Sequence, residues 1–466
     1  MDKKWDIVII GGGPGGYVAA IRAAQLKKKV LLVEKDRIGG TCMNWGCIPT
    51  KYLLHQTQLV KDLRENKNIR GPLGEIQLNW AKVQEGKKNC VDRLVKGIAF
   101  LLEKNGVGVV RGTARLKSER EVSVLDGDET TYQTDKIVLA AGSEAAGLPF
   151  LQPNGKEIIT SRDALELEAV PASMLIIGAG AIGLEMGTIF QRLGCEVTIL
   201  EILPTVLPGA DRDMAARLER LLKIQGIKIF TQMRTETWDA RNGKVQLKGI
   251  CQKTQTAFSH EAERVLLAAG RSPNSSELQH VDDRLSFDRQ GFLNVDQRLE
   301  TGIPGIYAIG DLIGGKLLAH KASHEGIIAV ENACGMRSEM NYNALPSAVF
   351  TEPEFASVGK TESEAEEQGL NIQVGLFSLQ ANGRALTMGK PEGMAKIVSD
   401  SKDRILGAQI LAPHASEIIM EVTLAIQKGL KLHDLSSAVH IHPTLSESVM
   451  EASLKARNEA IHMLNT

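Results

Sequence analysis

The sequence predicts an α/β protein built from two related βαβ units and a C-terminal α+β domain. Three observations carry this prediction. A segment near the N-terminus is repeated in register near the middle of the chain, each copy is followed by a further apolar strand ending in Ala-Ala-Gly, and the pattern changes from residue 344 onward. With 466 residues, the chain is long enough for about three domains.

Two segments of the chain match in register. They run from Asp6 to Lys35 and from Met174 to Ile202, and each reads as a strand, a glycine-rich turn, a helix and a second strand. Such a turn brings the backbone and a helix N-terminus to a pyrophosphate, and an acid ending the second strand accepts hydrogen bonds from ribose hydroxyls. Two generic turns without a ligand are the alternative, but two complete copies predict two Rossmann-like dinucleotide sites. The matching residues are Gly11, Gly13, Gly16 and Glu34 in the first copy, and Gly178, Gly180, Gly183 and Glu201 in the second.

The domain limits follow from three further strands. The segments Ile137–Ser143 and Val265–Asn274 each read as a buried strand that closes one nucleotide-binding unit, and Thr301–Asp311 reads as a strand that returns to the first unit. From residue 344, alternating β-like runs are followed by helices. We therefore expect a first unit at 1–149 completed by 274–343, a second unit at 150–273, and an α+β domain at 344–466.

The overall charge disfavours two classes of partner. The formal net charge is −1 and the pI is near 6.8, so no field would gather nucleic-acid or membrane phosphates. No apolar run approaches the ~20 residues that a membrane helix requires, and the N-terminal run is too short for a signal-peptide core. We therefore expect a cytoplasmic protein, in which six cysteines do not form a structural disulfide framework.

Cys42 and Cys47 lie in the segment GGTCMNWGCIPTK, soon after Glu34. Two unrelated buried thiols or half of a metal site are the alternatives, although no second Cys/His pair lies nearby. Pro49 can open a helix through Lys51–Leu59, and a cysteine next to a helix N-terminus has a stabilised thiolate. This is the requirement for thiol–disulfide exchange.

The position of the cysteines assigns the two cofactors. Because the first unit carries them, its nucleotide must exchange two electrons with a disulfide, as a flavin can, and the second unit then holds the hydride carrier. Glu201 ends the acid-bearing strand of that unit, and Ile202 to Gly209 contain no Arg or Lys. A 2′-phosphate would meet a carboxylate without a cation, so we expect NAD over NADP.

The segment HIHPTLSE contains His440, His442 and Glu447. A metal pair is one alternative, but no third ligand is visible. A general base is favoured, because thiol exchange needs a thiolate and imidazole titrates close to neutral pH. Glu447 orients His442 or, in a Thr444-x-x-Glu447 capping box, starts a helix. The sequence does not decide whether the His442–Pro443 bond is cis.

At these motifs the chain resembles the pyridine nucleotide-disulfide oxidoreductases. The resemblance extends over essentially the whole chain and includes GGTCMNWGCIPTK, both glycine fingerprints, GRSPN, TGIPGIYAIGD, LLAHKA and HIHPTLSE. Within the family, the pattern is most similar to the members that oxidise dihydrolipoamide. Two positions depart from it. Ala141 stands where Thr is usual, which removes one flavin-side hydroxyl, and Trp45 is bulkier than the common Val between the cysteines.

The resemblance implies the site residues and the partners. It makes Cys42 and Cys47 the redox pair, and His442 with Glu447 the base of the partner subunit in a homodimer. It implies that Lys51 holds positive charge near the flavin and pairs with Glu185, which follows the second fingerprint; two unrelated surface charges are the alternative. FAD contacts are expected from Gly11, Gly13, Gly16, Glu34, Thr41, Lys51, Gly112, Ala141, Gly142, Ser143, Asp311, Leu317, Leu318, Ala319 and His320, and NAD contacts from Gly178, Gly180, Gly183, Glu185, Glu201 and Gly270.

The resemblance also implies the reaction, which is oxidation of dihydrolipoamide on the lipoyl domain of a 2-oxoacid dehydrogenase or glycine-cleavage complex. A glutathione-reductase-like enzyme is one alternative, which Glu201 disfavours because such enzymes prefer a phosphate-bearing nicotinamide. A mercuric-reductase-like enzyme is another, but the final residues NEAIHMLNT lack a cysteine pair. A non-catalytic scaffold subunit is the third, and it would have no use for Cys42, Cys47 and His442.

Overall fold

The computed structural model describes residues 4–69, 71, 76, 78–241 and 243–465. The strands of these residues, in chain order, are β1 Lys4–Ile10, β2 Val30–Glu34, β3 Gly108–Arg111, β4 Thr113–Ser118, β5 Glu121–Asp126, β6 Asp128–Leu139, β7 Ser143–Ala145, β8 Ile158–Ile159, β9 Ser173–Ile177, β10 Glu196–Leu200, β11 Lys228–Phe230, β12 Met233–Arg241, β13 Lys244–Cys251, β14 Thr256–Ala262, β15 Arg264–Leu267, β16 Arg271–Pro273, β17 Ile306–Ala308, β18 Ser347–Val349, β19 Glu354–Gly359, β20 Ile372–Ser378, β21 Met394–Asp400 and β22 Ile405–Ala412. The α-helices are α1 Pro14–Gln25, α2 Gly40–Trp45, α3 Cys47–Glu65, α4 Trp80–Lys104, α5 Ser161–Leu165, α6 Ala181–Arg192, α7 Arg212–Ile224, α8 Ala319–Ala333, α9 Glu362–Glu367, α10 Gly383–Thr387, α11 Ala415–Lys428, α12 Leu432–Ser436 and α13 Glu447–Ala456.

The first sheet has the strand order β3-β2-β1-β6-β5-β4, and β17 also pairs with β6. The pairs β1–β2, β2–β3, β1–β6 and β6–β17 are parallel, whereas β4 and β5 join as an antiparallel extension. Parallel strands are covered on both faces, which explains the continuous apolar run VLLV of β2. The predicted return of the Thr301–Asp311 segment to the first unit is confirmed, because Ile306 to Ala308 pair with Ile137 to Leu139.

Helices α1 and α8 pack closely against each other over the first sheet. A side chain at Gly326 would collide with the carbonyl oxygen of Gly15, so small residues are required at this crossing. Arg22 and Glu331 form an ion pair between the same two helices, with 2.6 Å between the nitrogen and the oxygen. The segment after residue 319 is therefore fixed against the helix that starts at the first glycine turn.

The second sheet repeats this arrangement in the strand order β11-β10-β9-β15-β8, with every pair parallel. Helix α6 follows β9 and buries Leu184, Met186, Ile189 and Phe190 in the core. The antiparallel β12-β13-β14 meander lies between β11 and β15 in the chain. The predicted second βαβ unit is confirmed.

The chain enters and leaves the second unit through adjacent strands. β7 leads out of the first unit, β16 leads back into it, and the two pair antiparallel with Ser143 opposite Pro273 and Arg271 opposite Ala145. The amide of Asn274 then donates to the carbonyl of Gly142, over 3.0 Å. The second unit is thus an insertion held by a two-stranded connector.

The C-terminal domain is an antiparallel sheet in the order β18-β19-β22-β21-β20, covered by helices. Helix α11 buries Ile418, Ile419 and Val422, and α13 adds Val449 and Ala452 to the same core. The α+β prediction for this region is confirmed. Among the described residues, no helix combines the length and apolarity needed to cross a bilayer.

Candidate active site

Cys42 and Cys47 form a disulfide, and their Cα atoms lie 4.7 Å apart. Cys42 lies in α2, and Cys47 is the first residue of α3, so this helix begins two residues earlier than Pro49 suggested. No side chain caps the N-terminus of α3. The free N–H groups and the helix dipole at this end stabilise a thiolate at Cys47 when the disulfide opens.

Trp45 packs beneath a cation from the second unit. Its ring centre lies 3.8 Å from Cζ of Arg162, in α5, and the same guanidinium lies 3.5 Å from Asp36 just after β2. The bulky residue between the cysteines is therefore accommodated by a cation–π contact, which contributes about 0.5–1 kcal/mol at an exposed site.

The residues expected to bind the first nucleotide follow the carboxyl ends of parallel strands. Gly11 follows β1, Glu34 ends β2, Gly112 follows β3 and Asp311 follows β17. Since β1, β2, β3, β6 and β17 are mutually parallel, these ends share one edge of the sheet, where nucleotides bind in open α/β folds. The same holds in the second sheet for Gly178, Glu201 and Gly270, after β9, β10 and β15.

The glycines of each turn have distinct roles. Gly11 and Gly178 have φ values of 105° and 106°, a region that L side chains rarely adopt. A side chain at Gly16 would collide with the carbonyl of Gly11, and one at Gly183 with that of Gly178. These residues therefore allow the helix to pack directly on the turn.

Gly13 and Gly180 leave open space where a ligand would sit. They are the N-caps of α1 and α6, neither helix has a side-chain cap, and neither has an acid in its first turn. A Cβ built on Gly180 would meet nothing within 4 Å, and one on Gly13 only the Cα of Gly40, at 3.9 Å. Uncapped amides facing an open cradle fit the pyrophosphate of FAD and of NAD.

The two strand-ending acids hold their turns in the same way. Glu34 accepts from the amides of Gly12, at 2.6 Å, and Asp36, at 2.8 Å. Glu201 accepts from Ala179, at 2.6 Å, and Leu203, at 2.8 Å. Each carboxylate is thus fixed at the edge where a ribose would lie, and in the second unit its negative charge would repel the 2′-phosphate of NADP.

Asp311 is held by residues of the connector. Ser143 Oγ donates to Asp311 Oδ2 over 2.5 Å, and Arg271 donates to Ser143 Oγ over 2.7 Å and to its carbonyl oxygen over 2.6 Å. No described residue donates to the other carboxylate oxygen, Oδ1, which fits a flavin ribitol hydroxyl. Arg271 was not among the residues expected here, although its place directly after a buried strand and Gly270 was a signal.

The other residues expected around the flavin lie at turns and helix starts. The α8 N-terminus is uncapped, with Leu318 as N-cap and Ala319 as first residue, and the His320 ring lies 2.8 Å from the carbonyl of Pro346. Ala141 accepts from Asn274 Nδ2 through its carbonyl, a contact that its side chain does not affect. The remaining positions are Thr41 in the first turn of α2, Gly142 after β6 and Leu317 before α8.

Lys51 and Glu185 are in contact, with 2.8 Å between Nζ and Oε2. Glu185 also accepts from the amide of Phe350, over 3.0 Å, and the Lys51 ammonium lies 4.3 Å from the Phe350 ring centre. Phe350 was not expected at this contact, because its place there depends on how the C-terminal domain packs against the first two units.

His442 and Glu447 form a hydrogen-bonded pair, with 2.9 Å between Nδ1 and Oε1. The other oxygen of Glu447 accepts from the amide of Thr444 over 2.8 Å, but the capping-box alternative is wrong, because α13 starts at Glu447 with Ser446 as N-cap and the Thr444 hydroxyl donates to the Ile441 carbonyl. Partial burial opposes ionisation of Glu447, but the bonds from Thr444 and His442 outweigh it and hold its pKa below the usual range. The His442–Pro443 bond is cis.

His440 faces a different carboxylate. Its Nε2 lies 3.5 Å from Glu421, whereas His442 is 78% exposed and binds Glu447. Among the described residues, no group of three or more His, Cys, Asp or Glu side chains could hold a metal ion. The two histidines therefore have separate environments.

Comparisons with known proteins agree with this geometry. Residues 5–326 match the model of the pyridine nucleotide-disulphide oxidoreductases, and residues 345–453 match the dimerisation domain of the same proteins. A dihydrolipoyl dehydrogenase from Thermus scotoductus is 41% identical over 99% of this chain and 100% of its own length. Dihydrolipoyl dehydrogenase 2 from Haloarcula marismortui is 39% identical over 98% of each chain.

Solved structures show the same architecture over nearly the full length. LpdA from Mycobacterium tuberculosis has a TM-score of 0.87 at 28% identity and covers 96% of this chain and 99% of its own. The HOCl-induced flavoprotein disulfide reductase RclA from Escherichia coli has a TM-score of 0.82 at 28% identity and covers 95% of this chain and 98% of its own. The chain therefore belongs to the pyridine nucleotide-disulphide oxidoreductase family; together with its dihydrolipoyl dehydrogenase relatives this implies use of FAD and NAD(H), and the chain carries the family's dimerisation domain, which supports a homodimer.

Proposed function

We propose that this protein is a dihydrolipoyl dehydrogenase, which oxidises protein-bound dihydrolipoamide to lipoamide with NAD as the final acceptor. The observation that carries the proposal is the Cys42–Cys47 disulfide at the start of α3, directly after a complete dinucleotide fingerprint. Relatives with this name match along nearly their whole length, which supports the choice of substrate.

The two nucleotides are assigned to the two units. FAD lies at the carboxyl edge of the first sheet, on the amides after Gly13, on Glu34, and on Asp311 with Ser143. NAD lies on the amides after Gly180 and on Glu201. We propose domain limits of 1–149 with 274–343 for the FAD unit, 150–273 for the NAD unit and 344–466 for the dimerisation domain. When bound, FAD supplies a two-electron acceptor that returns the cysteine dithiol to the disulfide and passes the electrons on to NAD.

The thiol chemistry uses residues of this chain. His442 Nε2 takes a proton from one thiol of the substrate while Glu447 holds the ring through Nδ1. The thiolate attacks Sγ of Cys42, the Cys42–Cys47 bond breaks, and Cys47 leaves as a thiolate at the helix N-terminus. The second substrate thiol then attacks the first substrate sulfur and passes its proton to the departing Sγ of Cys42, so the mixed disulfide breaks and Cys42 leaves as a thiol while His442 keeps the first proton. The substrate leaves as a cyclic disulfide, and the two cysteines hold its electron pair.

The base is proposed to act across the dimer. Around His442, Val439 is fully exposed and Ile441 is 79% exposed in the single chain, as expected for an apolar segment that a second subunit covers. His442 would therefore serve the disulfide of the partner subunit. We further propose the lipoyl domain of a 2-oxoacid dehydrogenase or glycine-cleavage complex as the protein substrate, and a cytoplasmic location.

A substrate comparison with the purified homodimer tests this function. We expect a yellow protein that uses NADH to reduce lipoamide but not glutathione disulfide or Hg(II). Cys47→Ser should keep the flavin spectrum and abolish lipoamide reduction, whereas Cys90→Ser, at a free cysteine in α4, should keep both. Preference for glutathione disulfide would favour a glutathione-reductase-like enzyme. A protein without turnover on any disulfide would favour a scaffold subunit.

A further inference from the structure

The connector between the two nucleotide units carries a buried charge. Arg271 is the first residue of β16, where the chain returns from the second unit, and its side chain is 15% exposed. Burial lowers the pKa of this guanidinium, while the carboxylates of Asp311 and Glu144 oppose that effect. The group remains charged at neutral pH because the ordinary pKa of arginine is above about 12.

The hydrogen bonds of Arg271 fix the outgoing strand of the connector. Nε donates to Ser143 Oγ over 2.7 Å, and Nη2 donates to the Ser143 carbonyl over 2.6 Å. Two bonds from a planar guanidinium to one residue define both distance and orientation. The Ser143 hydroxyl accepts from Arg271 through its oxygen and donates its single hydrogen to Asp311.

Asp311 is consequently held through one oxygen. Its Oδ2 accepts from Ser143 Oγ at 2.5 Å and lies 3.7 Å from Arg271 Nε. No described residue donates to Oδ1, which is left for a ligand hydroxyl. If the carboxylate turned so that Oδ2 faced the ligand, the charge-assisted hydrogen bonds from Arg271 through Ser143 to Asp311 would break.

The backbone before Asp311 is held from the opposite side. Gly310, with a φ of 74°, donates its amide to Glu325 over 2.7 Å and accepts from Lys321 Nζ over 3.1 Å. Glu325 and Lys321 are both buried and form an ion pair in α8. The main chain is thus fixed by α8, and the side chain of Asp311 is fixed by the connector.

We propose that Arg271 is a positioning residue for FAD that links the seating of the second unit to the flavin site of the first. It acts through Ser143 and Asp311, which orient Oδ1 towards the ribitol chain of the flavin, and it touches neither substrate nor the reacting atoms. The inference rests on the proposed function, because that function assigns FAD to the first unit. As a consequence, a substitution in β16, the connector strand that returns from the NAD unit, alters the affinity for FAD.

Reconstitution of the apo homodimer with FAD tests the proposal. R271Q should raise the dissociation constant of FAD about tenfold or more, as expected for loss of a charged hydrogen-bond network. R271K keeps the charge and one of the two bonds, so its affinity should be intermediate. The matched control is R264Q, which removes a partly buried arginine of β15 that binds only its neighbour Glu263 among the described residues. It should bind FAD as the wild type does.

Two further readouts separate positioning from a general structural role. The apo forms of R271K and wild type should unfold at the same temperature, while FAD should stabilise R271K less. In a double-mutant cycle, Ser143→Ala and R271Q should be non-additive in FAD affinity, because both interrupt one chain of bonds. Visible circular dichroism of the bound flavin should change in R271Q and not in R264Q.

The outcomes distinguish this inference from the proposed function. A wild-type chain that binds FAD, together with an R271Q variant of equal affinity and unchanged flavin dichroism, overturns the inference alone. Additive effects in the cycle overturn it as well. A wild-type chain that takes up no FAD overturns the proposed function and the inference together. If R271Q does not fold, R271K decides, because equal FAD affinity in R271K and wild type then contradicts the proposal.

Discussion

Lys51 and Glu185 form an ion pair, 2.8 Å between Nζ and Oε2, that joins helices α3 and α6. Because α3 begins at Cys47 and α6 begins at the second glycine turn, the pair connects the disulfide-bearing helix with the NAD unit. The amide of Phe350 donates to the same carboxylate, so the C-terminal domain shares the contact. Three parts of the chain thus meet beside the redox centre.

Replacing Lys51 should therefore destabilise the folded protein. Lys51→Met leaves the Glu185 carboxylate, 7% exposed, without its cation; removing one partner of a fully buried ion pair costs about 3–5 kcal/mol, and the 33% exposure of Lys51 places the expected loss at the lower end of that range. Chemical denaturation of the holoenzyme measures the change. Lys88→Met, at a solvent-exposed pair with Asp92, is the matched control and should leave the midpoint unchanged. Equal midpoints for both variants would show that the Lys51 pair contributes nothing to stability.

Replacing His442 should affect turnover more than folding. His442→Gln removes the base but retains a polar side chain at an exposed position, so we expect turnover to fall roughly 10²–10⁴-fold with little change in melting temperature. Glu447→Gln, which still accepts a hydrogen bond, should cost less. His433→Gln, in the exposed part of α12, is the control. Lipoamide reduction by NADH at saturating substrate measures the effect, and near-normal turnover of His442→Gln would exclude it as the base.

A methyl group at Gly180 should leave the stability of the fold unchanged but weaken the binding of NADH. The backbone there has φ −78°, and a Cβ would meet nothing within 4 Å, so Gly180→Ala should keep the melting temperature of the protein. The methyl would point into the pyrophosphate cradle, and we expect NADH affinity to fall about tenfold or more, with FAD retained. Gly383→Ala, equally open but in the C-terminal domain, is the control for NADH titration by fluorescence. Unchanged NADH affinity in Gly180→Ala would place the nicotinamide nucleotide elsewhere.

His440 should contribute a pH-dependent part of the stability. The hydrogen bond with Glu421 raises its pKa, with a smaller opposing effect of burial and further support from the Ala438 carbonyl. The protonated ring is therefore favoured by folding. The contribution is fully present below about pH 6.5, the pKa of an unfolded histidine, and is lost as the pH rises through the higher folded value. Glu421→Gln should lower the unfolding free energy near pH 6 and have a much smaller effect near pH 9. An equal effect at both pH values would contradict this assignment.

The nucleotide units could be predicted because their signals are local. Gly16 and Gly183 are required by contact with the carbonyl of the first glycine in their own turn, and Gly11 and Gly178 by their positive φ, so the residue type and the spacing carry the structure directly. The return of Thr301–Asp311 to the first unit was predicted from a local pattern, an apolar strand that ends in Gly-Asp, and the structure confirms it.

The network around Asp311 could not be predicted from the sequence. Arg271 and Ser143 are 128 residues apart, and Ser143 and Asp311 are 168 apart, so their contact depends on the antiparallel pairing of two short connector strands. The start of α3 at Cys47 was also missed, because Gly46 caps the helix without a side chain and is a weaker helix-start signal than the Pro49 that follows. The role of His442 in the partner subunit still rests on the family resemblance.

The antiparallel pairing of β7 with β16 has a consequence for engineering. Since the chain departs from and rejoins the FAD unit at neighbouring positions, the whole segment between these strands could be exchanged for that of a relative while the first sheet keeps its pairing. A chimera that carries the segment of an NADP-dependent relative would change the coenzyme preference from NAD to NADP in one step, provided that the exchanged segment retains an arginine at the position of Arg271.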